Sequence, residues 1–117
     1  MRDFRKYEVW HLGIEVCKLT YLFVNKLPDI EKFNLKTQSC RSALSIPSNI
    51  AEGCSRSSEK DFSRFVEIAI GSSFEIETQL LLSIELKYFK SKELKELLSK
   101  LNHLQKKLNA LRTKLRK

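Results

Sequence analysis

The sequence predicts an all-α protein, an antiparallel up-down-up-down four-helix bundle, and three observations lead to this prediction. Glycine and proline are rare, with three and two residues among 117, so few turn positions exist and a β-rich fold is disfavoured. Four segments repeat apolar residues at spacings of three and four, which is the period of an amphipathic helix. Short connectors separate them, as between antiparallel neighbours. A single domain over residues 1–117 is expected, because this length suffices for one core.

The first helix is expected over about residues 5–27. Its apolar residues follow a heptad spacing, which predicts the seam that faces the core. The predicted seam consists of Tyr7, Trp10, Ile14, Cys17, Tyr21 and Val24. The helix ends before Pro28, because a proline disfavours the α region for the residue that precedes it.

The second helix is expected over about residues 35–56, with Asn34 as its N-cap. Its inward stripe contains mostly small residues, which let a neighbouring helix approach closely and predict a central position. The stripe is Ser39, Ala43, Ile46, Ile50 and Gly53. Pro47 lies inside this helix and predicts a kink near residues 43–47, or a break and restart.

The third helix is expected over about residues 58–88, capped by Ser57 or Ser58. Apolar residues cover nearly all of its sides, whereas a monomeric bundle buries only one face of each helix. The third helix therefore predicts a subunit interface. The apolar set is Phe62, Phe65, Val66, Ile68, Ala69, Ile70, Phe74, Ile76, Leu80, Leu81, Leu82, Ile84 and Leu86.

The fourth helix is expected over about residues 92–115, with Ser91 as N-cap. It carries a strict leucine heptad, which predicts one buried stripe. The leucines are Leu94, Leu97, Leu101, Leu104, Leu108, Leu111 and Leu115.

The charge of the chain is concentrated at its end. The net charge is +8, and residues 87–117 alone carry 11 basic and 2 acidic side chains, a balance of +9. Such a segment favours polyanions, namely RNA, DNA or an acidic protein face, although a solvated helix face explains it as well. Arginines of helices two and three extend the candidate surface. The candidate nucleic-acid-binding residues are Arg41, Arg56, Arg64, Lys95, Lys100, Lys106, Lys107, Arg112, Lys114 and Arg116.

The cysteines and the hydropathy of the chain indicate a reduced, cytoplasmic protein. Cys17, Cys40 and Cys54 are odd in number and contain no C-x-x-C pair, so neither a disulfide framework nor a zinc site is predicted. No apolar run approaches the roughly 20 residues of a membrane span, and no signal-peptide core follows the N-terminus. No membrane association is expected.

The sequence predicts no enzyme, cofactor or metal site. A di-iron bundle needs a Glu-x-x-His pair on each of two helices, and the chain offers only Glu8 with His11. A carboxylate-bridged metal protein that uses Glu52, Glu75 and Glu77 stays open as a remote alternative. Cys54, close to Arg56 in sequence, is interpreted as structural, with a mildly activated thiol as the alternative.

Small polar residues line one side of helix two and one side of helix three. We interpret them as a polar seam that fixes helix register and oligomer geometry, and a ligand pocket is the alternative. The polar seam is Ser45, Ser48, Asn49, Glu52, Ser72, Glu75 and Gln79.

The nine-residue string Ser-Ile-Pro-Ser-Asn-Ile-Ala-Glu-Gly, residues 45–53, followed by Arg56, resembles the signature of the 23S rRNA intervening-sequence protein family, also called S23 or four-helix-bundle proteins. The resemblance extends over about residues 2–89. It rests also on Phe4, Val9, Trp10, Pro28, Glu31, Leu35, Gln38, Arg41, Phe62, Arg64, Phe65, Ala69, Gly71, Ser72, Glu75, Glu77 and Gln79.

This resemblance implies a homopentameric ring of four-helix bundles. The accessory variability determinant proteins of diversity-generating retroelements are similar, which implies a basic barrel that binds nucleic acid and a reverse transcriptase. We therefore expect a non-enzymatic oligomer with a basic surface that binds RNA or another nucleic acid. The alternative is an oligomeric scaffold for an acidic protein partner.

Overall fold

The computed structural model describes residues 2–117, and all regular structure in this range is helical. The four α-helices are α1 (Glu8–Val24), α2 (Leu35–Cys54), α3 (Glu59–Glu85) and α4 (Lys95–Leu115). Short 3-10 helices at Phe4–Lys6, Asp29–Glu31 and Ser91–Leu94 precede α1, α2 and α4. The predicted all-α class is confirmed, and each α-helix is somewhat shorter than predicted because its ends are 3-10 or irregular.

The leucine heptad of α4 forms the centre of the core, as predicted. Leu94, Leu97, Leu101, Leu104 and Leu108 are fully buried, and the last two leucines of the heptad are half-buried. Each buried leucine contributes about 1.5–3 kcal/mol relative to an exposed one. The opposite side of α4 is left to solvent, and its basic residues lie there.

The predicted seam of α1 is wrong in part: Cys17 and Val24 are buried and Tyr7 and Trp10 are half-buried against the core, but Tyr21 is not part of it. Tyr21 is 43% exposed, whereas the residues that α1 buries are Val9, Gly13, Val16, Cys17, Thr20 and Val24. A Cβ atom at Gly13 would lie 3.4 Å from Ile46 and from Pro47, so α1 meets α2 through its smallest residue. Thr20 can be buried because its hydroxyl donates a hydrogen bond to the Val16 carbonyl oxygen at 2.7 Å. The side of α1 that is buried is therefore the one whose small residues allow close packing on α2, and not the one with the larger apolar residues.

Helix α2 runs unbroken through Pro47, so the predicted break and restart does not occur. A proline at this position deprives the Ala43 carbonyl oxygen of its helical donor. The Cys17 thiol of α1 donates to that oxygen at 2.9 Å and replaces the lost hydrogen bond. The predicted stripe from Ser39 to Gly53 is buried at all five positions. The neighbouring helix therefore compensates for the proline.

The capping predictions have mixed outcomes. Ser58 caps α3, with its hydroxyl oxygen accepting from the Asp61 amide at 3.1 Å. Asn34 makes no side-chain cap, and Glu31 instead accepts from the Leu35 amide at 3.3 Å. Ser91 lies inside the 3-10 helix before α4 and is not the N-cap of that helix. Asn34 thus occupies the predicted N-cap position of α2 without a side-chain hydrogen bond, whereas the prediction for Ser91 is wrong because a 3-10 helix precedes α4.

The helices pack as one body of 44 × 24 × 19 Å, with α2 and α3 in the most extensive contact. Within residues 2–117 no helix is both long enough and apolar enough to cross a membrane.

Candidate polyanion-binding surface

Three exposed lysines on the outer side of α4 form the part of its basic face that has no ion pair within residues 2–117. Lys95, Lys106 and Lys114 are exposed, and no carboxylate of residues 2–117 lies within 4.0 Å of them. At 3.6 residues per turn they share a sector of about 100° on the helix surface. We call these three residues the α4 lysine row. Its charge is available to an anionic partner because no internal ion pair neutralises it.

Two other predicted lysines of α4 pair with acidic residues of α1. Lys100 lies 3.2 Å from Glu15, and Lys107 lies 3.5 Å from Glu8. These side chains are 37–59% exposed, so each pair contributes no more than about 1 kcal/mol. Lys100 and Lys107 thus form ion pairs between α4 and α1. Because the glutamates partly neutralise them, they attract an anionic partner less than unpaired lysines do.

The predicted arginines of α4 converge on one glutamate of α3. Arg112 and Arg116 approach Glu67 at 3.8 Å and 2.7 Å. Arg64 pairs with Asp61 at 3.7 Å and lines the same cleft as Arg116. This end of the surface therefore interleaves acidic and basic groups.

The remaining predicted arginines lie apart from α4. Arg56 follows α2, pairs with Glu52 at 3.3 Å and stacks on Phe65. Arg41 is exposed on α2 beside Leu44, far from Arg56 along the helix. The structure thus divides the predicted basic residues into separate groups instead of one site.

Sequence reasoning overlooked three basic residues. Lys92 and Lys117 are exposed just before and just after α4 and add positive charge near the α4 lysine row. Arg2 donates from Nη1 to the Arg56 carbonyl oxygen at 2.6 Å. No sequence pattern indicates this contact, because it depends on how the chain before α1 packs against the turn between α2 and α3.

The predicted polar seam exists in a smaller form. Ser45 is its centre, because its hydroxyl oxygen accepts from Ser72 at 2.8 Å and from the Asn49 amide at 2.9 Å. Gln79 is half-buried, and its Oε1 has no hydrogen-bond partner in residues 2–117. The remaining members are exposed and lie outside the seam, namely Ser48, Glu52 and Glu75. The Ser45–Ser72 hydrogen bond joins α2 to α3, and the role of the seam in fixing helix register stays an interpretation.

The three thiols of residues 2–117 are free, and the two histidines lie near different polar groups. Burial raises the pKa of Cys17 to about 11, and burial also raises the pKa of Cys54, against the opposing effect of Arg2. Glu8 faces Lys107 and His103 on α4, whereas His11 contacts the Arg5 carbonyl oxygen at 2.6 Å. No three His, Cys, Asp or Glu side chains of residues 2–117 come together as a metal site would require.

Two apolar surfaces remain exposed on this chain. The first, the α3 stripe, is formed by residues that are 46–57% exposed: Ile68, Phe74, Leu81, Leu82 and Leu86. The second lies between α1 and α2, where apolar and basic side chains alternate. This α1–α2 groove is lined by Tyr21, Leu22, Phe33 and Leu44, with Lys18, Lys32, Lys36 and Arg41 around it. Exposed apolar area of this kind marks interaction surfaces.

A comparison with protein families matches residues 5–110 to the model described as 23S rRNA-intervening sequence protein. This match covers most of the chain. A search of curated proteins gives no match.

Proposed function

Because the chain belongs to the 23S rRNA-intervening sequence protein family, we propose that it is a non-enzymatic, oligomeric protein that binds RNA through the basic face of α4. The observation that carries this proposal is the α4 lysine row, exposed and unpaired within a segment of +9 charge. Lysine ammonium groups bind backbone phosphates as point charges and release the counterions that the phosphates hold. The proposal includes a cytoplasmic location, which the three free thiols support.

The proposed binding is electrostatic and depends little on base sequence. Stacking on bases requires exposed aromatic side chains, and α4 contains no Phe, Tyr or Trp; its one imidazole, His103, lies 3.9 Å from Glu8. The exposed aromatic residues Tyr21, Phe33 and Phe74 lie on or beside other helices. Affinity therefore comes from the number of phosphates neutralised, and it falls as the salt concentration rises.

The proposal also includes an up-down-up-down bundle that assembles into a homopentameric ring. Contacts whose residue numbers rise along one helix and fall along its neighbour support the antiparallel order. Gln105 meets Glu77 and Arg116 meets Glu67 between α4 and α3, and Lys100 meets Glu15 and Lys107 meets Glu8 between α4 and α1. The α3 stripe supports assembly, because a second copy would remove its apolar side chains from water at about 25 cal/mol per Å². A ring would present several α4 lysine rows to one RNA.

The test compares two triple variants with equal charge loss. K95Q/K106Q/K114Q removes the α4 lysine row, and K18Q/K26Q/K32Q removes three exposed lysines at the α1 side of the molecule. Fluorescence anisotropy with a structured RNA hairpin at low salt measures both. We expect the first variant to lose at least tenfold in affinity and the second to lose much less. Equal losses would show that net charge alone attracts RNA, and absence of binding by the unmodified protein would overturn the proposal.

A second candidate function is an oligomeric scaffold for an acidic protein partner such as a reverse transcriptase. The α1–α2 groove favours it, because basic side chains surround its apolar floor and suit a partner that is both acidic and apolar. A pull-down that recovers a protein independently of nuclease treatment, and that L44E abolishes, would support this function. Recovery of RNA alone would count against it.

A further inference from the structure

A cleft at the turn between α2 and α3 brings two arginine side chains together outside the α4 face. Its volume is about 540 Å³, and no acidic residue lines it. The residues that form this arginine cleft are Arg2, Ser55, Arg56 and Ser57. Arg2 comes from the chain before α1, so the cleft exists only in the folded protein.

Aromatic rings hold both guanidinium groups in place. The Arg2 guanidinium carbon lies 5.0 Å from the centre of the Phe62 ring, and that of Arg56 lies 4.8 Å from the centre of the Phe65 ring. A stacked guanidinium keeps its edge N–H groups available for a ligand. The hydrogen bond from Arg2 Nη1 to the Arg56 carbonyl oxygen also restricts the first side chain. Binding therefore loses less side-chain entropy than it would with mobile arginines.

Gly53 permits this arrangement of the rings. A Cβ atom at Gly53 would lie 2.8 Å from Phe62 Cδ1 and 2.9 Å from Phe65 Cβ, which is closer than real side chains approach. The Phe62 ring and the Phe65 Cβ atom thus occupy the space that a side chain at position 53 would fill. Gly53, the last residue of the string 45–53, therefore leaves room for the two phenylalanines on which Arg2 and Arg56 stack.

The charge balance of the cleft favours an anion. Arg2 has no carboxylate within 4.0 Å in the described range, whereas Arg56 shares its charge with Glu52 at 3.3 Å. Asp3 is close in sequence but pairs with Arg5 at 3.4 Å. The Ser55 hydroxyl donates to the Glu52 carbonyl oxygen. Ser57 is exposed, so its hydroxyl can reach a ligand.

We propose that Arg2, Arg56 and Ser57 form a binding site for a phosphate group. Phosphate suits this set because its oxygens accept charge-assisted hydrogen bonds from the guanidinium N–H groups that the Arg56 carbonyl oxygen and Glu52 leave free, and a hydrogen bond from the Ser57 hydroxyl. A phosphate of an RNA chain and free phosphate share this chemistry. In its RNA form the inference rests on the proposed function and adds a fixed contact to the α4 lysine row.

Inorganic phosphate is the first probe. The arginine Nε–Hε resonances of the full chain are followed by NMR during titration with phosphate, and sodium chloride at equal ionic strength is the reference. We expect saturable shifts for Arg2 and Arg56 and none for Arg64, which pairs with Asp61. The shifts of Arg56 should disappear in R2Q and persist in the matched control R5Q. Equal shifts in chloride, or shifts of all arginines alike, would overturn the site.

An RNA hairpin is the second probe. If an RNA phosphate occupies the site, R2Q lowers the slope of log K against log salt by about 1, and R5Q leaves that slope unchanged. An unchanged slope in R2Q together with saturable phosphate shifts assigns the site to free phosphate. Phosphate shifts without any RNA binding would refute the proposed function and leave the site standing. Absence of both effects refutes the site itself.

Discussion

The contact of Cys17 with Ala43 predicts an energetic coupling between Cys17 and Pro47. Pro47 leaves the Ala43 carbonyl oxygen without its helical donor, and the Cys17 thiol supplies a donor at 2.9 Å. C17A removes this donor and strands a buried carbonyl, which costs about 1–3 kcal/mol. Loss of the buried sulfur adds about 1 kcal/mol. We therefore expect C17A to lower the free energy of unfolding by about 2–4 kcal/mol.

The double variant C17A/P47A isolates the hydrogen bond. An alanine at position 47 restores a backbone N–H that can donate to the Ala43 oxygen, so P47A should cost less in the C17A background than alone. The expected coupling energy is about 1 kcal/mol or more. C40A serves as a control, because Cys40 is half-buried and bonds no backbone carbonyl.

Urea unfolding followed by far-UV circular dichroism at one fixed protein concentration measures all four proteins of the cycle. C17S should retain a hydroxyl donor and lie between the natural protein and C17A. Additivity of C17A and P47A within about 0.5 kcal/mol would refute the reasoning, because independent sites add to that precision. The continuity of α2 through Pro47 would then need another cause.

Three further predictions concern the glycines, the thiols and the assembly. G53A should lower the free energy of unfolding by about 1–2 kcal/mol, because the new methyl group would collide with Phe62 and Phe65. G71A should raise it by up to about 1 kcal/mol, because no atom lies within 4 Å of the new methyl group and alanine favours the helix. Equal effects of the two variants in urea unfolding would contradict this prediction. Iodoacetamide should modify Cys40 before Cys17 in the native protein, because Cys17 is buried. Burial raises the pKa of Cys17 from 9.0 to about 11, so its thiolate fraction and its reaction rate should increase only as the pH rises toward 11. Mass spectrometry that finds Cys17 modified first at pH 8 would count against the fold. L82E should keep the helical content and reduce the mass in light scattering to that of one chain, and an unchanged mass would remove the α3 stripe from the interface.

The sequence predicts the fold through its strongest periodic signals. The first five leucines of the heptad and the small-residue stripe of α2 are buried as expected, because in each helix a single side carries the pattern. Helix α1 has apolar residues on two sides, so the heptad spacing alone predicted that Tyr21 is buried. In the structure α1 packs on α2 at Gly13, and the residues buried beside it are Val16 and Thr20. The spacing of apolar residues identifies the most hydrophobic side of a helix. A close contact between two helices instead requires the side with the smallest side chains.

The candidate surface is predictable in composition but not in pairing. The exposure of Lys95 and Lys106 follows from their position opposite the leucines. The pairing of Lys100 with Glu15 and of Arg116 with Glu67 depends on how the helices are placed side by side, which one sequence does not reveal. The contact of Arg2 with the turn after α2 is likewise tertiary.

The salt dependence of RNA binding tests the central claim most directly. Binding of one RNA hairpin by the natural protein and by K95Q/K106Q/K114Q is measured from 50 mM to about 300 mM salt, a range over which phosphate contacts change affinity by orders of magnitude. The account predicts a steep linear fall of log K with log salt for the natural protein, and a slope smaller by about 2–3 for the variant. Binding that ignores salt, or equal slopes for the two proteins, would contradict an electrostatic RNA surface on α4.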